Sequence, residues 1–276
     1  MRIGFVGAGR VGYTLSRYLN DKFHNVCGIY SKSLEDSMDC ARFCRSEYYK
    51  NLINLINDCD TLFLTVNDNA IGDVVDELIK LGVRDKILIH TSGSQSSDAF
   101  KILVHDNYCY SLHPIYAFNS KYTSFEGFNE AYLTLEGDKR REGEIKALFK
   151  DKVVSIAKDN KELYHAGCVM ISNLVCALFN NAEDIFNRIG IDNIEIFKPL
   201  ILNNIKNILD NGSIKALTGP IIRNDLITVK KHLASLNEDD LKTYIPLSLR
   251  LCDISEIINK IDYNPMRDLL KGADVK

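Results

Sequence analysis

The residues best suited to chemistry begin at position 7, where Gly7-Ala8-Gly9-Arg10-Val11-Gly12 has the spacing G-x-G-x-x-G. The run follows an apolar strand pattern and opens a helical one. In that setting the first glycine permits a tight turn, the second lets the backbone approach a pyrophosphate, and the third lets helix and strand pack closely. The start of the helix adds unpaired N–H groups and a positive dipole end. The motif therefore predicts a dinucleotide-binding loop; the alternative is a glycine turn without a ligand.

The end of the second strand pattern bears on the type of dinucleotide. NAD-binding proteins usually place an acidic residue about 20 residues after the loop, on the ribose 2′-hydroxyl. Here Ser31-Lys32-Ser33 offers two hydroxyls and an amine instead, and Arg10 could reach the same spot. These groups suit a 2′-phosphate, so we predict that the cofactor is NADP(H). The alternative is that Lys32 is solvated and that Glu35 or Asp36, one turn later, holds the ribose.

Polar residues also follow three later strand patterns. In open α/β sheets, ligands bind beyond the carboxyl ends of the strands. Val66-Asn67-Asp68 is therefore expected to line the cofactor cleft, although Asp68 is equally suited to cap the next helix. Ser92-Gly93 is expected near the nicotinamide and the substrate, although a plain turn explains it equally well. His113, at the end of a further strand, could bind a substrate carboxylate or act as an acid; a structural histidine is the alternative.

A helical pattern over residues 161–188 carries polar residues where a core face is expected. His165, Val169, Ser172 and Asn173 fall at i, i+4, i+7 and i+8, and so share one face. Their neighbours are apolar, so we expect this face to be at least partly buried. A buried polar side chain needs a partner, and a ligand is one candidate; hydrogen bonds between helices are the alternative.

A turn signal at Thr218-Gly219-Pro220 precedes two further candidates, Arg223 and Asp225. Asp225 is placed to cap the helix that follows. Arg223, just before that helix, could clamp an acidic group with two hydrogen bonds. We therefore assign Arg223 and Thr218 to a substrate that bears a carboxylate.

Apolar runs and helical patterns alternate through the first half of the chain, which predicts a mainly parallel sheet with helices on both faces. From residue 160 onward helical patterns dominate. The expected fold class is therefore α/β, with a doubly wound Rossmann domain over residues 1–157 and an all-α domain over 158–276. The expected strands are Ile3–Val6, Asn25–Tyr30, Thr61–Val66, Lys86–His90, Tyr108–Leu112, Ala131–Leu135 and Val153–Ile156. The expected helices are Val11–Leu19, Leu34–Arg45, Ile71–Leu81, Arg140–Phe149, Lys161–Arg188, Ile194–Leu209, Asp225–Leu236 and Glu238–Ile261.

The composition excludes several classes of protein. Of the 276 residues, 46% are hydrophobic and 26% charged, which is ordinary for a soluble globular chain. The net charge of −3 disfavours binding to nucleic acid through bulk charge. The eight cysteines show no zinc-binding spacing and suit the reducing cytosol, so no metal is expected. Neither a signal-peptide layout nor a run of about 20 apolar residues is found, so we expect a cytoplasmic protein that does not enter a membrane.

These motifs resemble the superfamily of 6-phosphogluconate dehydrogenase, β-hydroxyacid dehydrogenase, pyrroline-5-carboxylate reductase and ketopantoate reductase, in which a Rossmann domain precedes an all-helical domain. Within it, the chain more closely resembles a group of Rossmann-like proteins with a largely uncharacterised C-terminal domain. Some members of this group resemble an alternative type of NADPH-dependent ketopantoate reductase. The resemblance spans nearly the whole chain and rests on three motifs: Ser111-Leu112-His113-Pro114 with Phe118; His165-Ala166-Gly167 with Ser172-Asn173; and Leu217-Thr218-Gly219-Pro220 with Arg223, Asp225 and His232.

The resemblance implies that a homodimer uses NADPH to reduce a small 2-keto acid, ketopantoate to pantoate. Dehydrogenases of the superfamily usually carry Lys-x-x-x-Asn on the first helix of the second domain. Here Asn173 matches the asparagine, but Val169 occupies the lysine position. His165, with His113 as competitor, is therefore the expected proton donor, and Asn173 and Ser172 are expected to hold the substrate oxygen. The alternatives are activity on an imine or a β-hydroxy acid, and an NADP-binding sensor without turnover.

Overall fold

The chain divides into two compact units, Met1–Met170 and Ile171–Lys276. The computed structural model describes residues 1–273. The predicted boundary at residue 157 lies before the first helix of the helical region. That helix packs on the sheet unit, so the compact units instead meet between Met170 and Ile171.

One sheet forms the centre of the N-terminal unit. Its eight strands are β1 (Arg2–Val6), β2 (Asn25–Tyr30), β3 (Glu47–Tyr48), β4 (Thr61–Leu64), β5 (Ile87–His90), β6 (Tyr108–Ile115), β7 (Tyr132–Gly137) and β8 (Val153–Ser155). Their order across the sheet is β3-β2-β1-β4-β5-β6-β7-β8, and all neighbours run parallel except β6 and β7. The winding reverses at β1, which has β2 on one side and β4 on the other. Such a switch point opens a crevice at the carboxyl ends of the strands, where ligands bind.

Helices cover both faces of this sheet. They are α1 (Arg10–Asp21), α2 (Leu34–Cys44), α3 (Leu52–Asp58), α4 (Asp68–Lys80) and α5 (Glu142–Phe149). A further helix, α6 (Lys161–Ile171), contacts His113 of β6 and the turn after β5. One buried apolar cluster joins the sheet to α1, α2 and α5, and a second joins it to α3 and α4. Strands β4 and β5 are buried along their whole length, as parallel strands between two helical layers should be. The predicted doubly wound α/β fold is confirmed.

The unpredicted elements of this unit include the short β3 and α3 and the 3₁₀ segment Ser97–His105. β3 and α3 have two and seven residues. Segments of that length hold too few apolar positions to establish a period of 2 or 3.6 residues. The other predicted strands and helices of the unit are present, with ends that shift by a few residues.

The C-terminal unit is helical throughout its described residues. It contains α7 (Asn173–Arg188), α8 (Lys198–Asn211), α9 (Ser213–Ala216), α10 (Leu226–Ser235), α11 (Glu238–Asn259) and α12 (Asn264–Lys271). The sequence analysis missed the short helices α9 and α12. The buried apolar cluster of the unit consists of Ile221, Val229, Ile245, Cys252, Tyr263, Met266 and Leu270.

The single helix predicted over residues 161–188 is wrong. Ser172 has φ −125° and ψ −81°, so α6 ends at Ile171 and α7 begins at Asn173. Among the residues that the structure describes, Lys158–Arg188 is the one segment long and apolar enough to cross a membrane. A single segment of this kind is weak evidence for a membrane span, because core helices of other proteins pass the same test.

Candidate active site

The glycine loop between β1 and α1 has the geometry that its spacing predicts. Gly7 has a φ of +107°, a region that favours glycine. A Cβ on Gly12 would stand against the carbonyl oxygen of Gly7 and 2.8 Å from Oγ1 of Thr65. A Cβ on Gly9 would meet only the carbonyl oxygen of Thr65, at 3.6 Å, which is an ordinary contact. Protein packing therefore explains Gly7 and Gly12, whereas the space at Gly9 remains open to a ligand.

The start of α1 is suited to an anion. Gly9 is its N-cap, and no side chain accepts a hydrogen bond from the N–H groups of the first turn. These unpaired donors and the helix dipole together favour a phosphate. Ala8 is buried and Val11 packs on the core, so these two residues contribute backbone to the loop. The residues present thus fit the pyrophosphate of a dinucleotide.

The side chains at the end of β2 have other contacts in the structure. Oγ of Ser33 accepts a hydrogen bond from the backbone N–H of Asp36 at 3.2 Å and caps α2, which leaves its own O–H free to donate. Nζ of Lys32 lies 3.8 Å from Oδ2 of Asp73, and both side chains are exposed. Arg10 donates to the carbonyl oxygen of Phe118 at 3.4 Å. No acidic side chain stands at Ser31–Ser33, and Asp36 lies in the first turn of α2, as the sequence predicted.

The ends of β4 and β5 are joined by Asp68. Its Oδ2 accepts hydrogen bonds from Oγ of Ser92 at 2.7 Å and from Oγ of Ser94 at 3.3 Å. Asp68 is the first residue of α4 and does not cap it, because Asn67 is the N-cap. The side chain of Asn67 makes no capping bond and is exposed, while Val66 packs beside the glycine loop. The predicted cleft residues therefore lie at one edge of the sheet.

A buried histidine that the sequence analysis did not assign to the site shapes the turn after β5. His90 is fully buried, its Nδ1 accepts from the backbone N–H of Ser92 at 3.3 Å, and its Nε2 lies 2.9 Å from the carbonyl oxygen of Ser96. Burial lowers the pKa of His90 to about 4, so the ring is neutral near pH 7. With Nδ1 as acceptor, the proton of the neutral ring resides on Nε2 and is donated to Ser96. Through these two hydrogen bonds, the ring of His90 fixes both ends of the Ser92–Ser96 turn.

Two imidazoles meet above Gly93. A Cβ on Gly93 would stand 2.9 Å from Nε2 of His113 and 2.9 Å from Nε2 of His165. The two rings are perpendicular, with centroids 5.7 Å apart. Nδ1 of His113 makes a 2.7 Å hydrogen bond with the hydroxyl of Tyr164. The structure therefore brings together both predicted proton donors and adds Tyr164, which the sequence analysis did not assign.

The surroundings of His113 decide its charge. Burial, and then the neighbouring Lys161 and His165, lower the pKa of His113 to about 4, against a weaker opposing effect of Asp68. Burial also raises the pKa of Tyr164, which keeps its hydroxyl protonated and able to donate to Nδ1. When the hydroxyl donates to Nδ1, the neutral ring carries its proton on Nε2, the atom above Gly93. In that tautomer His113 is equipped to donate a hydrogen bond, and its lowered pKa makes it a poor cationic acid at neutral pH.

Lys161 is the main residue that the sequence analysis overlooked. It is 2% exposed, and Nζ donates to the carbonyl oxygen of Ser92 at 3.0 Å. Burial lowers its pKa to about 8. One signal was available in the sequence: a lysine in the first turn of a helix faces an unfavourable dipole, so it needs another reason to be there.

The predicted site residues of the C-terminal unit are exposed rather than buried. Ser172 and Asn173 lie at the break between α6 and α7, so the polar stripe predicted along one helical face does not form. Thr218 and Arg223 are exposed, and Asp225 caps α10 by accepting from the backbone N–H of Thr228 at 3.0 Å. Within residues 1–273, no group of three His, Cys, Asp or Glu side chains is placed to hold a metal ion.

Two family models match the chain. The Rossmann-like domain matches residues 1–114, and DUF2520, a domain of unknown function, matches residues 131–251. The chain is thus similar to a Rossmann-like domain over residues 1–114 and to a DUF2520 domain over residues 131–251, and neither match spans half of it. The DUF2520 match begins at β7, so the His113–Tyr164 hydrogen bond joins the two matched regions within one compact unit.

Solved structures share the fold of the Rossmann-like and DUF2520 regions together. Protein TM1727 from Thermotoga maritima has 23% identity and a TM-score of 0.74, with 93% of this chain and 99% of that chain covered. A putative NADP oxidoreductase, BF3122 from Bacteroides fragilis, has 20% identity, a TM-score of 0.71 and coverages of 91% and 98%. Plasmodium falciparum pyrroline carboxylate reductase with NADP bound has 15% identity, a TM-score of 0.59 and coverages of 99% and 97%. None of the curated proteins gives a significant match.

Proposed function

We propose that this protein is an NADP(H)-dependent oxidoreductase that reduces a polar double bond in a small molecule. One observation carries the proposal: the dinucleotide loop and the His113–Tyr164–His165 cluster lie at the carboxyl edge of the same sheet. A cofactor bound in the switch-point crevice would thus lie beside groups able to hydrogen-bond a substrate oxygen or nitrogen. Neighbouring folds that include NADP-dependent reductases support this assignment.

The loop from Gly7 to Gly12 would hold the pyrophosphate through the first N–H groups of α1. The open space at Gly9 is where the backbone would meet it. Ser31, Ser33 and Lys32 would hold the 2′-phosphate, with Arg10 beside them. Lys32 pairs with the exposed Asp73 and can exchange it for a phosphate. When bound, the cofactor supplies the hydride, and the protein orients and polarises the substrate.

The substrate oxygen would bind above Gly93. Nε2 of neutral His113 donates a hydrogen bond to it, and Tyr164 fixes the tautomer that makes this possible. His165 lies across the same space and is the nearer candidate for the proton that the product retains, because burial keeps His113 neutral. Ser92 and Gly93 would line the side of this substrate site that lies opposite the two imidazoles. His113 would thus polarise the substrate oxygen and His165 would deliver the proton, two roles that one lysine would otherwise fill.

The substrate that we propose is a 2-keto acid, and specifically ketopantoate reduced to pantoate. The support is the resemblance of the His113, His165–Asn173 and Thr218–Arg223 motifs to the alternative ketopantoate reductases. Arg223 and Thr218 remain our candidates for the substrate carboxylate, and Asn173 and Ser172 for a substrate oxygen. The exposure of these four side chains leaves their polar groups accessible to a ligand.

Reduction of an imine is the second candidate. Pyrroline carboxylate reductase and imine reductases share this fold, and a pyrroline is a cyclic imine. The hydrogen-bond donor on His113 would serve a carbonyl oxygen, whereas an iminium nitrogen carries its own proton and needs none. Turnover of a keto acid would therefore support a role for His113 as a hydrogen-bond donor to the substrate, and turnover of imines alone would not.

The test is NADPH oxidation measured with a panel of keto acids and cyclic imines, after NADPH and NADH affinities have been measured directly. Turnover of ketopantoate with a preference for NADPH is the expected result. Turnover of imines alone would replace the keto acid with the second candidate. Tight NADPH binding without oxidation by any compound would refute the oxidoreductase and leave the NADP-binding sensor.

We also propose that the protein is a homodimer that associates through its helical unit. No residue of α7 or α8 is buried, and both helices carry large apolar side chains that are 42–79% exposed. Patches of this kind mark interfaces, since each leucine buried there gains about 1.5–3 kcal/mol. The side chains are Leu174, Leu178, Leu200, Leu202, Ile205 and Leu209.

Sedimentation at micromolar concentration tests the dimer. The wild-type protein should sediment as a dimer, and Leu178→Glu should shift it to a monomer of unchanged helicity. A wild-type monomer would refute the proposal. A cytoplasmic location is the companion proposal, supported by the eight cysteines, all but Cys176 of which are buried or half-buried, as structural thiols of a reducing compartment are.

A further inference from the structure

A buried ammonium group lies behind the two histidines. Lys161 is 2% exposed, its Nζ donates to the carbonyl oxygen of Ser92 at 3.0 Å, and it lies 5.8 Å from the ring centre of Tyr164. Removing an ammonium group from water costs free energy that one neutral acceptor does not recover. A lysine in this position therefore calls for a function that a hydrophobic residue of similar size could not perform.

The contacts of Ser92 show what Lys161 holds. The carbonyl oxygen of Ser92 receives the ammonium and also the hydroxyl of Ser111 at 3.2 Å, and Oγ of Ser92 donates to Asp68 at 2.7 Å. Both ends of the residue are thereby fixed. The next residue is Gly93, on which both imidazoles rest. Lys161 thus links α6, which carries His165, to the turn below it.

We infer that Lys161 is a positioning residue, which ties α6 to the Ser92–Gly93 turn and holds a fixed positive charge beside His113. The catalytic meaning of this inference rests on the proposed function, but the fixed charge is a property of the protein alone. Burial separates Lys161 from the cleft, so it acts through Ser92 and His113 and does not itself touch a substrate.

The charge on His113 follows from all the groups around it. Lys161 and His165 oppose its protonation, and Asp68 on α4 favours it, while burial opposes it most strongly. Burial lowers the pKa of Lys161 itself to about 8, and the carboxylates of Glu136 and Asp68 oppose that lowering. Removal of the ammonium should therefore let His113 take up a proton at higher pH. The titratable groups that act on His113 or on Lys161 are Tyr164 and His165 on α6, His90 on β5, Asp68 on α4 and Glu136 on β7.

The test is an NMR titration of the His113 imidazole in Lys161→Met, without cofactor or substrate. His113 should titrate about one pH unit higher than in the wild-type protein, because a neighbouring positive charge has been removed. Lys158→Met is the matched control: Lys158 lies three residues earlier, is half-exposed and pairs with Asp98. This control should leave the titration of His113 unchanged.

A second variant guards against misfolding. Lys161→Gln removes the charge but keeps an N–H group that can donate to the carbonyl oxygen of Ser92. It should therefore also raise the pKa of the His113 imidazole while the Ser92–Gly93 turn stays in place. An unchanged titration in either folded variant, or an equal shift in Lys158→Met, overturns the inference. In the turnover assay, Lys161→Met should shift the pH profile in parallel with the imidazole. A shifted imidazole in a protein that reduces no keto acid or imine would uphold the inference and refute the proposed function.

Discussion

The substitution Gly93→Ala tests the geometry of the site most directly. The φ of Gly93 is not positive, so an alanine backbone fits there and only the new methyl group matters. That methyl would stand 2.9 Å from Nε2 of both His113 and His165, whereas ordinary contact begins at 3.4 Å. Each ring must therefore retreat by at least about half an ångström, and a misplacement of about 1 Å costs about 100-fold in rate. We expect kcat to fall about 10- to 100-fold.

Stability should respond as well, since overpacking costs about 1–3 kcal/mol. Gly167→Ala is the matched control, because the same substitution on α6 meets no atom within 4 Å. It should leave the rate unchanged and raise the unfolding free energy by about 0.5–1 kcal/mol. Urea unfolding measures the unfolding free energy of both variants, and NADPH oxidation measures their kcat. A Gly93→Ala protein with wild-type stability and wild-type kcat would show that the imidazoles do not rest on Gly93 as described.

Four further predictions concern the cofactor loop and the buried histidines. Gly9→Ala should weaken NADPH binding in titration calorimetry without loss of stability, because a Cβ there meets only one atom, at 3.6 Å, and would occupy the space proposed for the pyrophosphate. Gly12→Ala should lower the unfolding free energy by about 1–3 kcal/mol, since its Cβ abuts the backbone of the loop. Lys32→Ala should reduce the preference for NADPH over NADH about tenfold in direct binding; an unchanged ratio would remove Lys32 from the phosphate site. Acid should destabilise the protein between about pH 6.5 and 4, by up to about 3 kcal/mol for each of His90 and His113: both titrate near 4 when folded and near 6.5 when unfolded, so the unfolded chain binds more protons in that window. A flat urea midpoint over this range would contradict the buried neutral rings.

The sheet could be predicted because its strands are buried on both faces. Runs such as Thr61–Leu64 and Ile87–His90 are mainly apolar and buried throughout, and the glycine spacing after β1 has a specific packing reason at Gly7 and Gly12. Local sequence is sufficient for both features. The break at Ser172 could not be predicted, because a helical period continues through it and the backbone angles of one residue interrupt the helix.

The histidines of the site can be predicted from the sequence, but the groups that control their charge cannot. The place of His113 at the end of β6 is a local property. Its charge depends on burial and on Lys161, a residue distant in the chain that reaches it only after α6 contacts the end of β6. Burial and contacts with residues distant in the chain set the pKa of a histidine, and the local sequence around the histidine predicts neither.

The lysine at 161 does not simply replace the lysine that the superfamily pattern places at position 169. Both positions lie on α6, but eight residues of helix separate them by about 12 Å along the axis. Lys161 is also bound to Ser92 and buried, so its ammonium cannot reach a substrate as an exposed acid would. A site that lacks an amine at 169 must obtain its proton elsewhere, and of the two rings above Gly93, burial lowers the pKa of His113 to about 4, which makes it a poor cationic acid at neutral pH. His165→Ala should therefore lose turnover while it retains NADPH binding, and His113→Ala should lose less, because a hydrogen bond is easier to replace than a proton.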